Sequence, residues 1–219
     1  MRARVAFFAL LVGWGAIATS FGEEPARAEV EVTLFAVPEA LWQARFEGRF
    51  HEDPALYLRL YGDAAAGRVE QPADFKFRLV GGDPVTQRKG ADKDFAEGWR
   101  TWRGFNSPPV PEKQTHRFIG TSVELAQEPT SAPGALRLRV NLEHHLAEPA
   151  MKRFNYANAA TGAERDRLAV EYPEFEKIEW QGKISVWREW RLVGNMLRPQ
   201  PAVSPAMTAI RYLIFIKRV

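Results

Sequence analysis

EVEVTLFAVPEALW, residues 29–42, has a pattern of apolar residues that changes half-way, from the period of a strand to that of a helix. Residues 30–37 alternate with the period of two that is typical of a β-strand. One face of that strand carries Val30, Val32, Leu34 and Ala36, and the other carries Glu31, Thr33 and Phe35. Pro38 ends the strand and suits the first turn of a helix, and the apolar residues from Leu41 to Phe46 predict a short amphipathic helix that Gly48 closes.

A second helix and several strands are predicted further along the chain. Asp53-Pro54 is typical of an N-cap with proline at the first helical position, and the residues that follow at helical spacing on one side are Leu56, Tyr57, Leu60 and Tyr61. Strands are predicted where apolar and polar residues alternate, at 75–79, 119–125, 136–143 and 178–186. Residues 212–216 are apolar at every position, which indicates a central strand that is buried on both faces.

These patterns together predict the fold class and its connections. The expected fold is mainly β with minor α (α+β): a twisted, largely antiparallel sheet with one or two short helices near the N-terminus. Gly81-Gly82 and residues 129–134 are predicted turns. Residues 83–116 and 147–173 are expected to be irregular, the second with one helical turn near 163–168, and Gly194 is expected to be a structural turn where the last long strand changes direction.

The first 28 residues have the pattern of a secretory signal peptide. Arg2 and Arg4 precede an apolar run over 5–18, which is too short for a spanning helix and is followed by acidic residues. Cleavage is expected after Ser20 or after Ala28, and residues 29–219 then form a single domain. The expected localisation is the periplasm or the outer membrane of a bacterium. Membrane association is compatible with this pattern, but a membrane span after signal removal is not expected.

Charge and cysteine content limit the partners. The chain has no cysteine, so it has neither disulfides nor a cysteine to carry a lipid anchor. Lys and Arg number 30 and Asp and Glu number 27, and residues 1–28 hold three of the former and two of the latter, which leaves 27 against 25 in the mature chain. Nucleic acid is therefore not an expected partner, because phosphate-binding surfaces need clustered basic residues.

The common catalytic signatures do not occur in the sequence. There is no phosphate-binding glycine loop, no His-Glu-x-x-His, no Gly-x-Ser-x-Gly and no Cys-x-x-Cys, so no enzymatic activity, cofactor or metal is expected. Glu143-His144-His145 is the one metal-like cluster, but neighbouring side chains on a strand point to opposite faces. The carboxylates near the start of the 178–186 strand, Glu171, Glu174 and Glu176, are expected to be solvated; a facing pair of them would be needed for a glycosidase.

Residues 99–103 interleave aromatic and basic side chains within the 83–116 region. Trp99, Arg100, Trp102 and Arg103 are the candidate ligand-binding residues, since such groups form platforms for sugars or single-stranded nucleic acid. The alternative is that the tryptophans cover an edge of the core. Trp187 and Trp190 are expected to be structural, because they flank a predicted strand turn.

The order of the elements resembles the C-terminal β-domain of the secretin family. These proteins form outer-membrane rings in type II and III secretion systems and type IV pili. The matching segments run from the strand-proline-helix of 29–42 to the end of the chain: FRLVGG (77–82), GTSVEL (120–125), GALRLRVNLEHHL (134–146), KISVWREWRLVGNML (183–197) and IRYLIFI (210–216). The chain departs from the family in having Arg188-Glu189 at an Asp-Gly turn, one glycine, Gly194, in place of a pair, and a short connection over 197–209.

The resemblance implies a non-enzymatic envelope module, a reduced secretin-like domain that takes part in a secretion or pilus-type assembly. Its implied partners are other copies of itself or envelope secretion and pilus components. The shortened connection means that the resemblance implies the fold and the envelope setting rather than a pore. Two alternatives stay open: a periplasmic or surface module that binds glycan or peptide through 83–116, and an enzyme with a carboxylate pair on a loop.

Overall fold

The computed structural model describes residues 27–49, 51–100, 110–130, 134–146, 150–155, 169–198 and 209–219. The elements in these ranges are β1 (Arg27–Pro38), α1 (Glu39–Arg45), α2 (Asp53–Ala65), β2 (Glu70–Val80), β3 (Val85–Arg100), β4 (Val110–Glu128), β5 (Leu136–His145), β6 (Ala150–Asn155), β7 (Ala169–Glu174), β8 (Lys177–Val186), β9 (Arg191–Arg198) and β10 (Ile210–Arg218). The predicted fold class, mainly β with minor α, is confirmed. Within these ranges neither helix has the length and apolar content to cross a membrane.

The strands form two four-stranded sheets and a separate hairpin, all with antiparallel neighbours. Sheet A has the order β2-β1-β10-β9, sheet B has the order β3-β4-β5-β8, and β6 pairs with β7. The apolar faces of the two sheets meet, and the buried residues that they contribute include Val32, Leu34, Phe77, Leu125, Leu138 and Leu142. The sequence did not indicate the number of sheets; there are two because each has an apolar face and the two cover each other.

The change of pattern in residues 29–42 has its cause in a third layer, the helices, which cover the second face of sheet A. The even positions of β1 face sheet B, as the alternation predicted, whereas Phe35 and Val37 face the opposite side. There they are covered by Leu56 and Leu60 of α2, and the ring of Phe35 lies 5.6 Å from that of Tyr57. Beyond Thr33, β1 is therefore buried on both faces and its alternation of apolar and polar residues ends.

β10 lies between β1 and β9, in the centre of sheet A. Leu213 and Phe215 pack against the helices, and Tyr212, Ile214 and Ile216 pack toward sheet B. The exposed fraction of each of these side chains is 3% or less. The prediction of a central strand buried on both faces is confirmed.

The prediction of irregular structure was wrong in two regions. Residues 85–100 and 110–116 lie in β3 and β4, which pair with each other from Val85↔Leu125 to Arg100↔Val110. Residues 150–155 and 169–173 lie in β6 and β7. These strands are polar because much of their surface faces water, and backbone pairing rather than apolar alternation maintains them. The helical turn expected near 163–168 falls outside the described residues.

The region that the sequence predicted as the last long strand forms two strands, β8 and β9, which belong to different sheets. The chain leaves β8 of sheet B and enters β9 of sheet A across residues 187–190, so Trp187 and Trp190 do flank a turn, as predicted. The turn expected at Gly194 was wrong, since Gly194 lies inside β9 opposite Ile214 and beside a register shift. A Cβ at Gly194 would lie 2.7 Å from Cδ1 of Ile214. Glycine is needed here for space rather than for a turn.

Candidate functional site

A two-stranded arm extends from sheet B. The last pair between β4 and β5 is Thr121↔His144, but β3 and β4 remain paired for a further stretch, from Gly90↔Gly120 to Arg100↔Val110. We call residues 90–100 and 110–120 the arm. At about 3.3 Å per residue, an arm of this length reaches roughly 33 Å beyond β5.

The base of the arm is a close contact between two backbones. Gly90 and Gly120 face each other, with φ values of +158° and +146° that side-chain-bearing residues rarely adopt. A Cβ on Gly90 would lie 2.1 Å from the carbonyl oxygen of Ile119. The ring of Phe118 covers this position, and the guanidinium of Arg88 lies 3.7 Å from the centre of that ring. Only glycine fits at either position, because a side chain would clash with the backbone of the facing strand.

The β6–β7 hairpin packs on one face of the arm. Phe175, which follows β7, has its ring 4.9 Å from that of Phe95, and the guanidinium of Arg117 lies 4.6 Å from the Phe175 ring. Further out, the rings of Trp99 and Tyr172 meet edge to face at 6.4 Å. Aromatic and cation–π contacts of this kind stabilise the arm from one side.

Ion pairs cross between the two strands of the arm. Arg117 pairs with Glu97 at 2.9 Å, and Glu112 lies 3.7 Å from Arg100. Hydrogen bonds from Thr115 and then from Arg117 lower the pKa of Glu97. Exposed pairs of this kind add little stability each, so they give the arm a polar surface more than they hold it together.

Two of the four sequence-predicted ligand-binding residues, Trp99 and Arg100, are at the far end of the arm. Trp99 is half-buried against Tyr172, and its indole Nε1 is buried with no hydrogen-bond partner among the described residues. Arg100 is exposed and points to the opposite face of β3. Trp102 and Arg103 lie outside the described residues, so the structure places two of the four candidates.

The two histidines of the metal-like cluster point to opposite faces, as their positions on one strand predict. Nδ1 of His144 lies 2.8 Å from Oγ1 of Thr121, and its ring is 5.5 Å from that of Tyr212 in the core. Burial, and then the neighbouring His145, lower the pKa of His144 to about 4. On the other face, Nε2 of His145 lies 3.0 Å from the Glu143 carboxylate. Within the described ranges, no three metal-ligating side chains converge.

The candidate carboxylates before β8 are largely engaged in ion pairs. Glu174 accepts a hydrogen bond from Lys152 at 2.5 Å, and Glu176 pairs with Arg198. Glu171 is exposed on β7. Two of these three groups are therefore neutralised by a cation.

A cluster that the sequence did not indicate lies beside the helices. The buried carboxylate of Asp63 in α2 accepts hydrogen bonds from Arg45 and Arg68, which lower its pKa although burial alone would raise it. A cavity of about 480 Å³ opens here, and we call it the arginine cavity. Its lining residues are Arg45, Phe46, Arg49, Leu58, Arg59, Gly62, Asp63 and Arg68. The four arginines come from the end of α1, the segment after it, α2 and the segment after α2. The sequence shows only two four-residue spacings, Arg45 to Arg49 and Arg59 to Asp63, and neither indicates that the two pairs meet.

No protein-family model, no curated protein and no solved structure matches the chain. Its function is inferred from the arm, the hairpin that covers it and the arginine cavity.

Proposed function

We propose that the protein is a non-enzymatic module of the bacterial envelope that takes part in a secretion or pilus-type assembly through its arm. The observation that carries the proposal is the continued pairing of β3 and β4 after β5 has ended. The arm adds little to the core between the sheets, since most of its side chains are exposed or half-exposed. Such an extension is suited to contact with another chain.

The backbone of the arm offers a way to bind. From Val110 to Gly120, β4 pairs with β3 and with no other strand among the described residues, so its second edge is unpaired. An unpaired edge exposes N–H and C=O groups that a strand of another chain can join. The charged side chains along the arm disfavour unspecific pairing of this edge, which is how natural sheets protect themselves.

The order of the elements also supports an envelope setting. The chain begins with a signal-like segment, and the succession of segments from 29–42 to IRYLIFI resembles the secretin β-domain. The expected partners are therefore a second copy of the chain or an envelope secretion or pilus component.

Photo-crosslinking in the native envelope tests the proposal. A photoreactive residue replaces Gln114 on the exposed arm, and the matched control replaces Gln181, an exposed glutamine of β8 in the same sheet. We expect a discrete crosslinked product from position 114 and none from position 181, with mass spectrometry identifying the partner. Equal capture at both positions, or no product at position 114, would contradict the role of the arm.

A specific observation at the end of the arm favours the alternative of glycan or peptide binding through 83–116. The indole N–H of Trp99 is buried without an acceptor among the described residues, and Arg100 beside it is exposed. A ligand carbonyl or hydroxyl would supply that acceptor. The test is binding to glycan and peptide arrays by the wild-type protein and by Trp99→Phe, which keeps a ring but has no N–H. Binding that Trp99→Phe loses would support this alternative.

A further inference from the structure

We propose that the arginine cavity binds a phosphate-bearing ligand. The site lies beside α1 and α2 and shares no lining residue with the arm, so it is independent of the proposed assembly role. Four guanidinium groups and one carboxylate line it, which leaves an excess of three positive charges.

Asp63 fixes two of the four arginines. Nη1 of Arg45 donates to both oxygens of Asp63, at 2.8 and 2.9 Å, and Nε of Arg68 donates to one of them at 2.9 Å. Asp63 is only 5% exposed, whereas the side chains of Arg45 and Arg68 are about half exposed. The buried carboxylate therefore holds two guanidiniums at the wall of the cavity, where their remaining N–H groups can face a ligand.

Arg49 and Arg59 supply two of the three excess positive charges. Neither side chain has an ion-pair partner among the described residues, although both line the cavity. A planar guanidinium matches two oxygens of a phosphate at once, and several arginines around one cavity favour an anion of more than one charge. A cavity of about 480 Å³ has room for a phosphate group and part of the molecule that carries it.

The phosphate could belong to a free compound or to a lipid headgroup. Leu58 lines the cavity and is 66% exposed, and Tyr61 on the same helix is 52% exposed. Apolar side chains beside a phosphate site suit a lipid surface, where they can enter the interface. A free phosphate compound would need only the arginines.

The experiment compares the full mature protein with two double variants. Arg49→Ala/Arg59→Ala removes the two uncommitted arginines and leaves the Asp63 contacts intact, while Arg139→Ala/Arg188→Ala removes two exposed arginines elsewhere and is the charge-matched control. Calorimetry with inorganic pyrophosphate at low salt measures binding of a free phosphate compound. Flotation with phosphatidylcholine vesicles, with and without phosphatidic acid, measures binding to a headgroup, and Leu58→Ser tests the apolar contribution.

We expect the Arg49→Ala/Arg59→Ala protein to bind at least about tenfold more weakly than wild type, and the control variant to bind as wild type does. Saturable binding of pyrophosphate with this pattern would identify a free phosphate ligand. Flotation only with phosphatidic acid, reduced by Leu58→Ser, would identify a lipid headgroup. Two results would overturn the proposal: no binding in either assay, or equal weakening in the two double variants. Neither result depends on whether the arm captures a partner.

Discussion

Gly194 is a residue for which the available space, rather than the backbone angle, requires glycine. A Cβ there would lie 2.7 Å from Cδ1 of Ile214, 3.2 Å from its Cγ1 and 3.3 Å from its Cβ, and Ile214 is fully buried. We expect Gly194→Val to lower the free energy of unfolding by about 1–3 kcal/mol. Urea denaturation measures the change.

The control for Gly194→Val is Gly62→Ala in α2. A Cβ at Gly62 has no neighbour within 4 Å, and alanine is the better helix former. We expect this variant to gain about 0.5–1 kcal/mol. A Gly194→Val protein with the stability of wild type would contradict the packing of β9 on β10.

His144 makes the stability depend on pH. Its pKa falls from 6.5 to about 4 in the folded chain and returns to the ordinary value on unfolding. Between these two pH values the unfolded chain holds a proton that the native chain lacks, so stability decreases as the pH falls through that window, by up to about 3 kcal/mol. Denaturation curves at several pH values test this, with His144→Gln expected to lose most of the dependence. An unchanged pH profile in His144→Gln would contradict it.

For a single residue, the sequence predicts the face of the strand on which its side chain lies. Parity alone predicted that His144 and His145 point apart, and the structure agrees. The arginine cavity was not predictable in the same way. Its charges come from the end of α1, the segment after it, α2 and Arg68, and only the folded helices bring them to one carboxylate.

Elements were predictable where burial imposes a pattern. The outer half of β1 alternates because helices do not cover it, and β10 is apolar throughout because both of its faces are covered. The arm has no such pattern, since both of its strands carry charged side chains on a largely exposed surface, and it was predicted as irregular for that reason. The glycine pair at its base was visible only as two isolated glycines.

The extent of β1 makes a prediction about signal cleavage. Arg27 and Ala28 pair with Val80 and Leu79 of β2, and Ala28 is buried in the core. Cleavage after Ala28 would remove both from the strand, whereas cleavage after Ser20 leaves β1 whole. We therefore expect the mature chain to begin at Phe21, as intact-mass measurement on envelope material would show. A mature chain that begins at Glu29 would contradict this expectation, and one that still begins at Met1 would contradict export.

Apart from the β6–β7 hairpin, the described residues form three layers, with helices on sheet A and sheet A on sheet B. The number of sheets could not be predicted, because alternation shows that a strand has an apolar face but not which strand covers it. The crossing at 187–190 illustrates this, since β8 and β9 are consecutive in sequence and lie in different sheets. In the centre of sheet A, β1 pairs with β10, which lies at the other end of the sequence.

Removal of β10 is expected to prevent folding. A chain that ends at Ala209 would leave β1 without its central neighbour and would open both apolar cores, since β10 contributes to each. We expect such a chain to be aggregated or unfolded by circular dichroism and size-exclusion chromatography. A chain shortened by removal of residues 91–119 and closed by a Gly-Gly linker is the control, and we expect it to stay folded. A soluble, cooperatively unfolding chain without β10 would contradict the topology.

The pairing of β1 with β10 has a consequence for biosynthesis. Arg211 hydrogen-bonds to Glu39 across 172 positions of sequence, so the ribosome completes β1 long before it makes the strand that β1 needs. Until then the nascent chain cannot close sheet A, and the apolar face of β1 stays unshielded and prone to aggregation. In the exported chain that we propose, the same delay keeps the chain unfolded and competent for translocation.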